Sequence, residues 1–401
     1  MAGIGARLRP FTYSKPKGLL KVAGKRVIDH ILDLLQTITV KNTDLLIVTG
    51  YRNRTIKQYL TENYNDHFTI EFEDQNPRGF IGDIPYYGGL GEAIYISKDW
   101  YEKSISDFGS DLPNDFALIF LSDMIPLDGF QPLFDILCGK ESENLQQNNL
   151  ADEFKDDDVS AKEKKSRAKK NQKLCKNPDG VIGVMRVPKE RANQYGIIQL
   201  DDSDGTIKRM VEKPREYISD LAIAGVYAFR PKTMKKLYRY LKEEVDKSID
   251  SDEEAQFTPA LQKLIENGCN LVTAEFEKGI LDFGKPATLL EGNRYLLDTY
   301  NKLSGGPVDE IVNSSLTSPS FIGANGRIEN CVIGPYCSIG DNCRIKDCIL
   351  RNVVIGDNCV LENIITKNSI IGDFVTMDDL IKENLIIGDR SNIRSSKNEE
   401  I

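Results

Sequence analysis

The chain has 401 residues, 40% hydrophobic and 28% charged, with a net charge of -9 and a pI near 5.1. That length supports two or more domains with full cores, and the acidic balance argues against a nucleic-acid binder, which usually presents a basic face. Mean hydropathy is -0.36 and no apolar run approaches the length of a membrane span, so a transmembrane helix and a membrane partner are not expected. The first residues lack the charged and apolar regions of a signal peptide. Eight cysteines at irregular spacing do not form a secreted disulfide pattern, and a reducing cytoplasm is the expected setting.

The N-terminal stretch runs from Met1 through Ala2, Gly3, Gly5, Arg7 and Arg9, then Ser14, Lys15, Pro16 and Lys17. Glycines one residue apart let a backbone approach phosphate oxygens, because no Cβ intervenes and φ > 0 is accessible. Arg7, Arg9 and Lys17 place cations beside that bend, and N–H donors ringed by cations suit a polyphosphate. Val27, Ile28, Ile31, Leu34 and Leu35 have helical spacing, Leu45–Val48 reads as a buried strand, and Thr55 to Leu60 starts another helix. Ala117–Leu121 and Val181–Met185 are further buried strands. Apolar runs alternating with amphipathic helices predict an α/β domain with a mostly parallel sheet covered on both faces.

Residues 140–176 contain almost no large apolar side chains and dense charge, including Asp156 to Asp158 and a basic run from Lys162 to Lys173. Such a segment cannot bury enough surface to offset its ordering entropy and reads as a disordered insertion, with a docking tail as the alternative. It joins a helix to the next strand, opposite the ligand crevice of an open α/β sheet, and should leave the site untouched.

From about residue 318 the chain repeats itself. Ile-Gly pairs begin at Ile339, Ile355, Ile371 and Ile387, a step of sixteen, with further pairs at Ile322 and Ile333. Fixed-period self-similarity marks a solenoid. Aliphatics every five or six residues suit short strands turning at three corners, which resembles the left-handed parallel β-helix of hexapeptide-repeat proteins. Cys337, Cys343 and Cys359 occupy its small-residue slot, where free cysteine packs as a compact hydrophobe. A metal cluster is the alternative, with no histidine nearby. The domains expected are residues 1–300, a linker at 301–317, and a β-helix at 318–401.

The pattern Gly-x-Gly-x-Arg-Leu followed by Ser-x-Pro-Lys-x-Leu-Leu resembles the signature loop of the sugar-1-phosphate nucleotidyltransferases, and further motifs follow in the family's order. They are Gly88 to Ala93, Leu121 to Met124, Gln194 to Ile198, Val211 to Pro214, Leu221 to Tyr227 and Ile280 to Pro286. The resemblance implies a Rossmann-like nucleotide-diphospho-sugar transferase domain. It also implies that an NTP and a sugar-1-phosphate react to give an NDP-sugar and pyrophosphate with Mg²⁺. Ala2, Gly3, Gly5, Gly89, Leu90 and Asp123 would contact the nucleotide. Arg7, Lys17 and Lys213 would be the catalytic cations, with Gly196, Glu212 and Lys213 on the sugar phosphate. Asp123 and Asp282 would hold the metal.

The Gly-Leu-Gly loop is more similar to thymidylyl- and uridylyltransferases acting on glucose-1-phosphate than to the adenylyl members. A non-catalytic regulatory or exchange-factor-like subunit shares the domain pair, but such relatives tend to lose the signature arginine, lysine or metal aspartates, all present here. A bifunctional acyltransferase would use a histidine in the β-helix, and residues 318–401 contain none. The β-helix then reads as an oligomerisation or regulatory element, and His30 as structural. Departures from the family pattern are Ser122 before the metal aspartate, Asp220 where an asparagine or similar polar residue is common, and the lack of room for a central strand before the glycine loop. The last predicts either a start site set too late or a sheet with unpaired edges.

Overall fold

A computed structural model describes residues 3–38, 43–108, 116–139, 177–201, 203, 205–300 and 310–394. Ala2, the 140–176 segment and residues 301–309 lie outside them.

Helix α1 (Val27–Gln36) buries Val27, Ile28, Ile31, Leu32 and Leu35. Its first turn is capped by Asp29, which accepts the Arg26 N–H at 3.0 Å. His30 is buried in it, with Nε2 3.1 Å from the Val22 carbonyl, and burial lowers its pKa. Strand β1 (Thr43–Thr49), helix α2 (Asn53–Tyr64) and strand β2 (Phe68–Asp74) form a β-α-β unit with parallel strands. Helices α3 (Gly89–Ile96) and α4 (Lys98–Phe108) lead to β3 (Ala117–Phe120), β4 (Met124–Pro126) and α5 (Gln131–Leu137). Strands β5 (Gly180–Arg186), β6 (Gly196–Leu200), β7 (Ile207–Glu212) and β8 (Leu221–Phe229) follow. Helices α6 (Pro231–Ser251) and α7 (Thr258–Glu266), strands β9 (Leu271–Glu275) and β10 (Ile280–Asp282), and helix α8 (Pro286–Tyr300) complete the domain.

The main sheet runs β7-β6-β8-β5-β9, with β3 also on β8. Strands β3, β5, β6 and β9 share one direction, while β7 and β8 oppose it. All nine residues of β8 are buried, because helices cover both faces. Ala224, Val226 and Ala228 enter one core with α1 and α8; Ile223, Tyr227 and Phe229 enter the other with α6 and α7. Strands β1 and β2 pair only with each other. Among the described residues no strand bridges them to β3.

Residues 310–394 form a parallel β-helix. Ile328, Ile345, Leu361, Met377 and Ile393 stack in one interior column. The step is seventeen from Ile328 to Ile345 and sixteen from Ile345 onward, so the sixteen-residue period begins only after the early coils. The first rung, Glu310–Val312, already pairs with Arg327–Glu329 inside the stretch read as a linker. Cys337, Cys343 and Cys359 are buried, and the thiols of Cys343 and Cys359 donate to the carbonyls of Gly356 and Gly372 at 3.2 and 3.0 Å. They are packing residues.

The two domains meet at α8. Asn293 is fully buried there; its Oδ1 accepts the Ala23 N–H at 2.8 Å and the Ser338 hydroxyl at 2.7 Å, and its Nδ2 donates to the Tyr336 carbonyl at 3.4 Å. An unsatisfied buried polar group costs roughly 1–3 kcal/mol, so this one amide fixes the register of domain docking. Val354 and Ile370 of the β-helix continue the core that contains α1.

Candidate functional site

Residues 5–20 fold into three 3₁₀ turns, Ala6–Leu8, Phe11–Tyr13 and Lys17–Leu19, pinned by buried Leu8, Phe11 and Leu19. Gly5 opens the first turn at φ 64°. Its carbonyl accepts the Thr12 hydroxyl at 2.9 Å, and a Cβ there would lie 2.8 Å from Thr12 Cγ2. Both the left-handed backbone and the close approach require glycine. Gly3 is exposed with open space around it.

The cations of this loop diverge. Lys17 Nζ pairs with Asp123 Oδ2. Arg9 packs over the Tyr13 ring, 4.9 Å from its centre. Arg7 is exposed and makes no ion pair among the described residues.

Asp123 lies in the turn between β3 and β4. Burial alone would push its carboxyl pKa up, but the Lys17 ammonium outweighs burial and holds it below the usual range. Strand β10 brings in the second acid: Asp282 stands opposite Met124, and the Phe283 N–H donates to the Asp123 carbonyl at 2.9 Å. The two aspartates are therefore on neighbouring rungs of the backbone ladder. Asp282 Oδ1 accepts the Gly284 N–H at 2.8 Å. Burial, with Asp282 beside it, pushes the Tyr195 hydroxyl pKa up.

The predicted sugar side continues from that tyrosine. The Tyr195 carbonyl accepts the Lys213 N–H at 3.0 Å, and Gly196 pairs with Glu212 across β6 and β7. Glu212 Oε2 accepts the Thr258 hydroxyl at 2.6 Å, and its Oε1 lies 3.3 Å from Lys213 Nζ. Lys213 has φ 42° and is more than half exposed, a cation presented to solvent from a strained turn. A contiguous line thus runs from Lys17 through Asp123, Asp282, Tyr195 and Lys213 to Glu212.

The predicted base loop is tied to the far end of this line. Glu92 Oε2 accepts the Gly88 N–H at 3.1 Å and the Gln75 amide at 2.6 Å, while Arg78 clamps Oε1 at 2.8 Å. The Gln75 amide also donates to the Gly89 carbonyl at 3.1 Å. The Ala255 carbonyl accepts the Gly91 N–H at 2.8 Å, and a Cβ at Gly91 would lie 2.7 Å from that oxygen. Gly91 is thus demanded by packing against Ala255. Residues 253–258 link Gly88 and Gly91 to Thr258 and so to Glu212. Sequence reasoning missed Gln75, Arg78, Ala255 and Thr258; the only signal for them was Glu92, four residues after Gly88, as a carboxylate able to cap that loop.

A family model described as Nucleotidyl transferase matches residues 1–143 and 150–299, and one described as GlmU-like, C-terminal hexapeptide matches residues 304–384. The chain is similar to a glucose-1-phosphate thymidylyltransferase of Streptomyces antibioticus, 26% identical over 362 residues, with 86% of this chain and 82% of that protein covered. It is similar to a UTP–glucose-1-phosphate uridylyltransferase of Bacillus subtilis, 28% identical over 282 residues, with 66% of this chain and 78% of that protein covered. The bifunctional protein GlmU of Methanocaldococcus jannaschii is 26% identical over 317 residues, covering 78% of this chain and 56% of that protein.

The Lys17–Asp123 pair has a testable pH signature. Because the folded-state pKa of Asp123 lies below its ordinary 3.8, the pair's stabilisation is complete at neutral pH and is lost as pH falls below that value. In Lys17→Met, burial loses its chief opponent and that pKa rises, so the carboxylate becomes a penalty at neutral pH that acid relieves. The variant should lose roughly 3 kcal/mol at neutral pH, and the loss should shrink toward about pH 4. Urea unfolding across that range measures it; a loss independent of pH would contradict the pairing.

Proposed function

The chain belongs to the nucleotidyl transferase family, and on that premise we propose that it joins a nucleoside triphosphate and a sugar-1-phosphate into an NDP-sugar, with release of pyrophosphate. The observation that supports this reading is the Lys17–Asp123 ion pair one residue before Met124, which stands opposite Asp282 in the β4–β10 pair. UTP or dTTP and glucose-1-phosphate are the favoured substrates, supported by what the Streptomyces and Bacillus relatives are named for.

Both reactants are polyanions, so the task is charge cancellation and alignment more than acid or base work. An oxygen of the sugar phosphate bonds to the α-phosphorus, and the bond from that phosphorus to the β-bridging oxygen breaks. The electron pair leaves on pyrophosphate, and no proton need move. The N–H groups around Gly3 and Gly5 line the triphosphate, with Lys17 and Arg7 on its β- and γ-phosphates, where charge accumulates as pyrophosphate leaves. Gly89 and Leu90 abut the base. Lys213 steers the attacking phosphate, with Gly196 and Glu212 on the sugar.

The residues present fit a divalent cation. Asp123 is a charged, largely buried carboxylate already partnered by a cation, and Asp282 stands opposite the next residue, Met124. These two would hold Mg²⁺, which favours a few carboxylate oxygens with the remainder from phosphate and water. When bound, the metal supplies charge neutralisation between the phosphates.

Assembly of copies through the β-helix is also proposed. Val332, Ile349, Ile365 and Ile381 stack into one exposed aliphatic stripe along it, which supports that face as the contact. Light scattering should report an oligomer that Ile365→Arg weakens, and a monomer at all concentrations would set this aside.

A pyrophosphate-release screen of the common nucleoside triphosphates against several sugar-1-phosphates tests the activity. Release should require a divalent cation, and Asp123→Asn or Lys213→Ala should lower kcat/KM by about 10²–10³-fold. No release with any pair from folded protein would instead identify a non-catalytic relative.

A further inference from the structure

An aspartate follows each regular Ile-Gly pair of the β-helix: Asp341, Asp357, Asp373 and Asp389. Each Oδ1 accepts a backbone N–H of the coil before it, from Ala324, Asp341, Asp357 and Asp373 at 2.8, 2.8, 2.9 and 2.8 Å. The glycines follow from this, since a Cβ at Gly340, Gly356 or Gly372 would collide with the next coil's Oδ1. Capping of this kind does not need charge, because asparagine accepts an N–H as well as aspartate does. Other corners of the same β-helix stack neutral asparagines, Asn325 on Asn342 at 3.0 Å and Asn352 on Asn368 at 2.8 Å. Four carboxylates in a row at roughly the 4.8 Å strand spacing repel one another.

That repulsion is answered by the glycine loop. Lys21 Nζ sits between Asp341 and Asp357 at 2.8 and 2.7 Å, and Lys15 bridges Asp373 and Asp389, the latter at 3.1 Å. The Ser14 hydroxyl donates to Asp389. Lys15 and Lys17 flank Pro16, which is extended at φ -60° and ψ 148°, and they go to different partners: Lys15 to the ladder, Lys17 to Asp123. A cavity of about 440 Å³ remains between loop and ladder, lined in part by Ser14, Lys15, Lys21, Arg26, Asp357 and Asp373. Ion pairs span this part of the contact.

We infer that the aspartate ladder is a positioning device for the triphosphate loop: by gripping Lys15 and Lys21 it fixes the backbone that aims Lys17 at Asp123. This rests on the transferase reading above. The β-helix then contributes to nucleotide binding in the other domain without touching substrate, and Asp341, Asp357, Asp373, Asp389, Lys15 and Lys21 are positioning residues.

The test uses the full chain carrying Asp373→Asn with Asp389→Asn, which keeps the coil caps and removes only charge. The KM for the nucleoside triphosphate should rise about tenfold or more, with kcat changed less and the KM for the sugar phosphate unmoved. Backbone amides of residues 5–20 should exchange faster with deuterium. Lys15→Arg should retain the wild-type KM. Glu383→Gln, which removes a β-helix carboxylate paired with Lys367 at 2.8 Å away from the loop, should change neither readout. Should the double variant unfold the β-helix, Lys15→Met leaves the ladder intact and carries the same expectations. Wild-type KM and wild-type exchange in the folded variants would overturn the inference. If the wild-type chain turns over no substrate pair, the transferase reading fails, and amide exchange alone decides the ladder.

Discussion

Lys15, Lys17 and Lys21, close together in sequence and held by carboxylates of two domains, are the constraint on which the rest depends. Lys17 reaches Asp123, Lys15 reaches Asp373 and Asp389, and Lys21 reaches Asp341 and Asp357. A loop of N–H donors and cations offered to a polyphosphate must keep its shape before the ligand arrives, or binding energy is consumed in ordering it. Here the shape is set by charge on two sides and by Leu8, Phe11 and Leu19 beneath.

The chemistry of the site follows from the same constraint. Opposing polyanions can be aligned only where cations stand ready, and cations stay localised only where carboxylates hold them without neutralising the site for good. The pairing of β4 with β10 puts two acids on adjacent rungs, while residues 253–258 couple the base loop to Glu212 through Ala255 and Thr258. Preorganised charge of this type is usually the largest contribution to such reactions. The β-helix belongs to this arrangement, since Asn293 seats it in register and its aspartates meet the loop.

Much of the fold was legible because periodicity is local. The apolar spacing of Val27 to Leu35 and the runs at Leu45–Val48, Ala117–Leu121 and Val181–Met185 each became the element they predicted. The Ile-Gly period located the β-helix but not its first rung at Glu310–Val312, where the period is seventeen and the glycine signal is absent. The pairing of Lys17 with Asp123 spans 106 residues and leaves no local trace. Gln75 and Thr258 serve through a side-chain amide and a hydroxyl, and Ala255 through its backbone N–H and carbonyl, roles that many residue types could fill at those positions. The aspartates of the ladder, one after each regular Ile-Gly pair, went unread, because which corner of a solenoid faces a partner is decided by docking. Gly91 shows the converse: a residue read as part of base recognition is explained by its contact with Ala255.

The central claim, that Asp123 and Asp282 converge on one cation between bound phosphates, is tested most directly by Mn²⁺ binding in the presence of a nucleoside triphosphate, followed by water-proton relaxation. The account predicts a tight ternary complex for the wild-type chain, weakened about tenfold or more in both Asp123→Asn and Asp282→Asn. Equal Mn²⁺ affinity in the wild-type chain and both variants would contradict it.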